Sequence, residues 1–232
     1  MATEHRTAPG VYTGTSLNHR NIFVNDDPRT TNYAPSTMYI DGAKARDTGN
    51  SPVSLLRAGL ILGKVGSTNL MANSIIGLTG VLHDTSATPT VLTLPAAVVT
   101  EIARRIGTSG TFKIIGPPTA AGTVATETVT FSAIATSTTI TITATSADFA
   151  AGSIIAPADG SEAPKTVLVN PYGIDVVATD GTNLKQALDL YLTGADLKAT
   201  QIISLTEGDA SVQTWIKTQL KAAGRFTFDN DR

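Results

Sequence analysis

Few residues of this 232-residue chain have the chemistry of a catalytic or metal-binding side chain. The chain has no cysteine, which excludes disulfides, thiolate metal sites and a thiol nucleophile. None of the three histidines, His5, His19 and His83, has a second histidine or a carboxylate at the i+4 spacing of a helical metal site. His83-Asp84 is the one pair that resembles a general acid–base pair of an active site, and a polar loop explains the same residues more simply. We therefore predict no metal, no cofactor and no catalytic residue.

Three further motifs suggest phosphate or ion binding, and each has a simpler structural explanation. Gly63-Lys64 lacks the upstream glycine and the following hydroxyl of a phosphate-binding loop. Asp159-Gly160-Ser161-Glu162 has too few carboxylates at alternate positions for a calcium loop, and it matches a tight turn. Arg104-Arg105 falls on a predicted helix, where two arginines are more often solvated than bound to phosphate. The sequence therefore does not predict an enzyme.

The composition excludes several classes of partner. The net charge is −2 and no block of like charges occurs, so neither a nucleic-acid footprint nor electrostatic membrane binding is expected. No apolar run reaches the length of a membrane span, and the first ten residues lack the pattern of a signal peptide. We expect a soluble protein that is made in a cytoplasm.

Strand patterns dominate the chain from residue 55 onward. Leu55–Val65 is a continuous apolar run, as expected of a buried strand. Two apolar runs, Ile154-Ile155 and Val167–Val169, flank the Asp-Gly turn and predict a hairpin. Leu188–Leu192 alternates apolar and polar residues, which favours a strand over a helix, and Phe226–Phe228 is typical of a closing strand.

A threonine-rich segment, 108–153, differs in character from its surroundings. Its apolar residues alternate with threonine, with Val129 and Phe131 on one face, and charge is almost absent from residue 119 onward. We interpret it as a small inserted β lobe. A glycan-binding lobe is an open alternative, although exposed tryptophan or tyrosine platforms are missing from it.

Two segments have the signals of amphipathic helices. Pro95 suits a first helical turn and Gly107 ends the pattern, which predicts a helix over about 95–106. Residues 209–223 place an apolar stripe on one face and end at Gly224. The single tryptophan, Trp215, falls in that stripe, so we predict that it anchors the core.

Residues 1–54 have no sustained apolar period, which leaves a floppy tail as one interpretation. Their short apolar islands, however, contain three of the chain's few aromatic residues, and Tyr33 lies close by, which favours an arm that becomes ordered along another protein. The predicted contact residues of this arm are Val11, Tyr12, Ile22, Phe23, Val24, Tyr33, Met38, Tyr39 and Ile40.

Four short segments carry motifs of one known family: Arg57–Lys64, Ala158–Val169, Ala187–Leu197 and Asp148–Ser153. They resemble the head decoration proteins of tailed bacteriophages, also described as lambda protein D-like capsid-cement or capsid-stabilising proteins. Arg57–Lys64 resembles the Gly-x-Leu-Leu-Gly-Lys strand of that family. Ala158–Val169 is similar to its Asp-Gly-Ser-x-x-Pro segment, and Ala187–Leu197 to the apolar strand and glycine turn that follow. Asp148–Ser153 resembles the Asp-Phe-x-x-Gly-Asp close of a β insertion in some members, with Ser153 in place of the final acid.

The resemblance implies a mainly β (α+β) fold with a β-tulip-like core. Residues 55–107 and 154–232 would form this core, 108–153 the inserted lobe and 1–54 the capsid-binding arm. The long arm and the material between Val65 and Ile154 depart from the small members of the family.

The function that the resemblance implies is that of a structural virion protein. It would bind the outside of an assembled phage capsid, bridge neighbouring subunits and resist the pressure of packaged DNA. Its partners would be the major capsid protein and other copies of itself, in a trimer or a dimer. Two alternatives from other classes remain open at this stage: a glycan- or cell-surface-binding module displayed on a virion, and a hydrolase.

Overall fold

The computed structural model describes residues 21–24, 31–34, 38–116, 124–188, 191–203 and 210–231. Within these ranges the chain is mainly β with two α-helices, so the predicted fold class is confirmed. The helices are α1 (Ala96–Arg105) and α2 (Ala210–Ala223), as predicted from their apolar spacing and end signals.

The strands are short and numerous. In chain order, the first half comprises β1 (Asn32–Ala34), β2 (Met38–Asp41), β3 (Leu55–Leu56), β4 (Ile61–Lys64), β5 (Met71–Asn73), β6 (Gly77–Leu78), β7 (Val91–Thr93) and β8 (Gly110–Gly116). The second half comprises β9 (Ala125–Ile134), β10 (Thr139–Ile142), β11 (Ile154–Pro157), β12 (Pro164–Val167), β13 (Ile174–Asp175), β14 (Lys185–Leu188), β15 (Tyr191–Leu197) and β16 (Arg225–Phe228). Short 3-10 turns occur at Ala199–Gln201 and Asp229–Asp231.

The described strands form four sheets. A six-stranded sheet has the order β6-β11-β8-β9-β10-β7, and a five-stranded sheet has the order β12-β4-β5-β2-β14. A three-stranded sheet, β1-β15-β16, and the pair β13-β3 complete the fold. The closing strand predicted at Phe226–Phe228 is confirmed as β16. The single strand predicted over Leu188–Leu192 is corrected: β14 ends at Leu188, β15 begins at Tyr191, and the two belong to different sheets.

The six-stranded sheet has its own hydrophobic core, and α1 covers it. Val98, Val99 and Ile102 of α1 are buried in one cluster with Phe112 and Phe131 of the sheet. The cluster extends along the sequence from Ile76 to Ile155, so the lobe is larger than the predicted insertion 108–153 and includes the helix that had been assigned to the core. The reason is the alternation in β9 and β10, where one apolar face needs a cover and α1 supplies it.

The predicted hairpin over 154–169 is wrong, although its turn is present. Strand β11 pairs with β8 and β6, whereas β12 pairs with β4 in the five-stranded sheet. Gly160 has a φ of +101°, and the turn packs against Gly66, whose N–H donates to the Asp159 carbonyl at 2.8 Å. The Asp-Gly turn is therefore a corner between two sheets.

The predicted strand Leu55–Val65 is also divided. It forms β3 and β4, which belong to different sheets, because the chain turns at Gly59 with a φ of +89°. At that glycine an added Cβ would lie 2.2 Å from the Gln201 carbonyl oxygen, and at Gly63 it would lie 2.0 Å from the Ser161 carbonyl oxygen. Both glycines of the Gly-x-Leu-Leu-Gly-Lys-like segment are therefore required by close backbone approach.

We expect Gly63→Ala to lower the free energy of unfolding by about 1–3 kcal/mol, because the backbone of the corner has to move away from β4. Gly80→Ala is the matched control: it is exposed, and the nearest atom to its added Cβ is 3.6 Å away. Urea denaturation of both variants measures the difference. Equal stabilities would contradict the steric explanation.

Helix α2 closes the fold over the three-stranded sheet. Val212, Ile216 and Leu220 are buried in a cluster with Phe226 and Phe228 of β16. Trp215 is only partly buried at the margin of this cluster, so the prediction that it anchors the core is corrected. The apolar stripe is narrow, and the indole lies at its edge.

Candidate partner-binding surface

The structure places the predicted arm residues in three different environments. Ile22, Phe23 and Ile40 are buried in the chain's own core, and Met38 is partly buried against it. Val24, Tyr33 and Tyr39 are about two-fifths exposed, at 38%, 38% and 40%. Val11 and Tyr12 lie outside the described residues.

The segment 21–24 lies along the end of β15. Phe23 forms an antiparallel bridge with Leu197, the Val24 N–H donates to the Asp196 carbonyl at 3.0 Å, and the Lys198 N–H donates to the Ile22 carbonyl at 2.8 Å. The two apolar side chains enter the core cluster beneath α2. Because the 21–24 segment pairs with β15 of the same molecule, Ile22 and Phe23 are buried without a partner protein.

Strand β1 continues the same edge of β15. Asn32 pairs with Gly194 and Tyr33 with Leu192 in antiparallel register, and the register shifts between the two pairs. The Thr193 hydroxyl donates to the Asn32 carbonyl at 3.1 Å. In the described part of its sheet, β1 is an edge strand, since β15 has β16 on its other side.

Strand β2 is an interior strand of the five-stranded sheet. It pairs with β14 over four residues and meets β5 at Ile40 and Met71. The side chains of β2 alternate, so Ile40 is buried while Tyr39 is exposed. The predicted arm 1–54 therefore requires a correction: residues 38–54 belong to the body of the fold, and so do 21–24 and 31–34.

We define the exposed side chains of these N-terminal segments as the N-terminal surface: Val24 and Tyr33 along the edge of β15, and Tyr39 on β2 of the five-stranded sheet. Each of the three side chains neighbours a residue that is anchored in the core or in a sheet, so all three are held on ordered backbone. An exposed aromatic side chain on the edge strand of the described part of its sheet, as Tyr33 is on β1, is suited to packing against an extended segment of another protein.

The histidine that could have supported catalysis is buried inside the lobe. His83 is 3% exposed, its Nε2 lies 2.8 Å from the Thr145 hydroxyl, and its backbone bridges Phe149. The neighbouring Asp84 accepts hydrogen bonds from Ser86, which lower the pKa of its carboxyl. His83 joins two loops of the lobe, and the hydroxyl group beside its Nε2 belongs to a threonine rather than a serine.

The most tightly connected polar cluster was missed by sequence reasoning. Arg105 was expected to be solvated, but its side chain is 1% exposed. Its Nη2 lies 2.6 Å from Ser161 Oγ and 3.5 Å from Asp159 Oδ2, and its Nη1 donates to the Asn73 carbonyl at 2.9 Å. Lys44 Nζ contacts the same Asp159 oxygen at 3.0 Å. The cluster therefore joins α1, the loop after β2, β5 and the corner between the sheets.

Asp159 is the centre of this cluster, and its burial, hydrogen bonds and neighbouring charges together set the pKa of its carboxyl. Burial alone would raise the pKa of the carboxyl, but the Ser161 hydrogen bonds, the charge of Arg105 and the Lys44 hydrogen bond lower it to about 2. The only sequence signal for this cluster was the Asp159-Gly160 turn motif at the corner between the sheets. Its aspartate was assigned to turn formation, and nothing in the local pattern indicated that a helical arginine would reach it.

The calcium alternative at this corner has no support in the geometry. Asp159 Oδ1 accepts from Ser161, and Asp159 Oδ2 accepts from Lys44 and Arg105. Glu162 pairs with Lys113 at 2.7 Å. Among the residues that the structure describes, no three His, Asp or Glu side chains are grouped as metal ligands. No described helix has the length and apolarity needed to cross a membrane.

Comparisons of the chain with protein-family models, with curated proteins and with solved structures found no match.

Proposed function

We propose that this protein is a structural virion protein that binds the outside of an assembled phage capsid and cements it against the internal pressure of packaged DNA. The observation that carries the proposal is the N-terminal surface, an edge strand with Tyr33 and Val24 held outward beside it. The four segments that resemble capsid-decoration proteins support it independently. The proposed partner is the major capsid protein of the same phage.

The mechanism that this surface suggests is the docking of an extended segment. A segment of a capsid subunit lies along β1, the edge strand of the described part of its sheet, and its alternate residues pack against the exposed Val24 and Tyr33 side chains. A ligand that binds only the expanded shell stabilises that shell by mass action, and many weakly bound copies on one particle add by avidity. The buried residues Ile22, Phe23 and Ile40 contribute by holding the surface in place rather than by contacting the capsid.

We expect the double variant Val24→Ser and Tyr33→Ser to bind assembled capsids at least tenfold more weakly, because the loss of an aromatic contact at an interface centre costs about 2 kcal/mol. Co-sedimentation of the purified protein with assembled heads of the same phage measures occupancy. Both positions are already partly exposed, so the free protein should remain folded.

Val91→Ser is the matched control for this experiment. Val91 is 39% exposed on β7, an edge strand of the six-stranded sheet. The control should bind like the unmodified protein. Full occupancy by the double variant, or an equal loss with Val91→Ser, would refute the assignment of the binding surface.

A further inference from the structure

Three aspartates of this chain precede a glycine, at Asp41-Gly42, Asp159-Gly160 and Asp180-Gly181. In this dipeptide the aspartate side chain can react with its own backbone, because glycine has no side chain to hinder its amide nitrogen. Each of the three aspartates accepts, through Oδ1, the backbone N–H of the residue two positions on. The three sites therefore share one dipeptide and one local hydrogen bond, and their surroundings distinguish them.

The reaction is a ring closure within the chain that needs only water. The glycine nitrogen attacks the aspartate Cγ, and a C–O bond of the carboxyl group breaks as the new C–N bond forms. The departing oxygen leaves as water with the carboxyl proton and the amide proton. Hydrolysis of the resulting succinimide takes one water back at either carbonyl, which gives aspartate or isoaspartate. The reacting atoms must approach within about 3–3.5 Å in the correct orientation, so the peptide between the two residues has to be free to turn.

Packing against the neighbouring chain holds the first pair in place. Asp41 is the last residue of β2 and is 9% exposed. The Gly42 N–H donates to the Leu184 carbonyl at 2.9 Å, and a Cβ added to Gly42 would lie 2.2 Å from the same oxygen. A turn of this peptide toward Asp41 Cγ would therefore break the contact between the chain after β2 and the residue before β14.

The charge cluster holds the second pair. Asp159 Oδ2 accepts from Lys44 and Arg105, which fixes the carboxylate from the side opposite its own turn. Gly160 packs against Gly66, and an added Cβ would lie 2.9 Å from the Gly66 nitrogen. Ring closure at this corner would break an ion pair with a buried arginine, so the fold opposes it.

The third pair is restrained only within its own turn, among the residues that the structure describes. Residues 179–183 are all exposed, and no atom lies within 4 Å of a Cβ added to Gly181. The Gly181 N–H donates to the Ala178 carbonyl, and the Thr182 N–H donates to Asp180 Oδ1, both at 2.9 Å. Rotation of this peptide therefore breaks exposed hydrogen bonds of the turn and no core contact.

We propose that Asp180 is a modification site, at which the folded protein converts aspartate to isoaspartate spontaneously, while the fold protects Asp41 and Asp159. Isoaspartate adds one methylene to the backbone of the turn. The bridge between Val177 and Asn183 lies outside the changed peptide, so the modified chain keeps its fold. This site is separate from the N-terminal surface, and its test needs no capsid.

Incubation of the folded full chain in H₂¹⁸O at neutral pH, followed by mass spectrometry of its peptides, tests the proposal. Each passage through the ring adds one ¹⁸O to the aspartate, and electron-transfer fragmentation distinguishes isoaspartate from aspartate. We expect both signals at Asp180 at least tenfold faster than at Asp41 or Asp159, because misplacement of reacting groups slows a reaction by about 10²-fold. The same incubation in guanidinium chloride should bring the three rates together. Equal rates in the folded protein, or no reaction at Asp180, would overturn the proposal.

Two variants at the exposed position identify the ring. Asp180→Glu would need a six-membered ring, and it should take up no ¹⁸O at this position. Asp180→Asn closes the same five-membered ring with loss of ammonia, and it should acquire the mass increase of deamidation there. An Asp180→Asn variant that stays intact would show that the turn does not permit ring closure. Equal ¹⁸O uptake by Asp180→Glu and the unmodified protein would show exchange without the ring, and either outcome would refute the assignment.

Discussion

Deletion of residues 1–40 is expected to abolish cooperative folding rather than to remove a detachable arm. The deletion removes Ile22, Phe23 and Ile40 from the core and leaves one edge of β15 unpaired. Truncation of a buried isoleucine or phenylalanine to alanine costs about 2–5 kcal/mol at each site, and total stabilities of single domains are about 5–15 kcal/mol. Thermal unfolding followed by circular dichroism should therefore show no cooperative transition.

Deletion of residues 1–20 is the control, because it leaves every described contact in place. This shorter variant should keep its cooperative transition. A folded, cooperative protein lacking residues 1–40 would show that the pairing of the N-terminal segments with β15 and β14 is dispensable. Loss of capsid binding in the longer deletion says nothing about the interface if the protein has unfolded, so the N-terminal surface is better tested by point substitutions.

Asp159→Asn is expected to lower the free energy of unfolding by about 3 kcal/mol at pH 7. The substitution leaves Arg105 buried without its carboxylate, and removal of one partner of a buried ion pair costs about 3–5 kcal/mol. Asp180→Asn is the matched control, since Asp180 also precedes a glycine and accepts the backbone N–H of the residue two positions on, but it is exposed. Asparagine can make the same turn at both positions.

The pH dependence of the same variant gives an independent test. The pKa of Asp159 in the folded protein is about 2, below its ordinary value of about 3.9 in an unfolded chain. The resulting stabilisation is complete above about pH 4 and is lost as the pH falls toward 2. Urea midpoints measured between pH 7 and pH 2.5 should converge for the unmodified protein and Asp159→Asn. A difference that stays constant down to pH 2.5 would show that the carboxylate charge is not the cause.

Local patterns in the sequence were sufficient for the secondary structure. The spacing of Val98 and Ile102 and the glycine at 107 predicted α1, and alternation with threonine predicted β9 and β10. These signals are local, because side-chain periodicity and end residues act within a few positions of the chain. The absence of cysteine and the scarcity of histidine likewise restricted the possible nucleophiles, acid–base pairs and metal ligands from the sequence alone.

Strand pairing and charge pairing were decided by the tertiary structure alone. An Asp-Gly turn between two apolar runs is compatible with a hairpin or with a corner between sheets. The turn is a corner here because β11 pairs with β8 and β12 pairs with β4, and these pairings are not visible in the local sequence. The apolar islands at 22–24 and 38–40 require burial, but the sequence does not specify whether a partner or the chain's own β15 and β14 supplies it. Arg105 meets Asp159 across 54 positions because packing of α1 on the lobe brings them together, and the energy of that contact is absent from any local pattern.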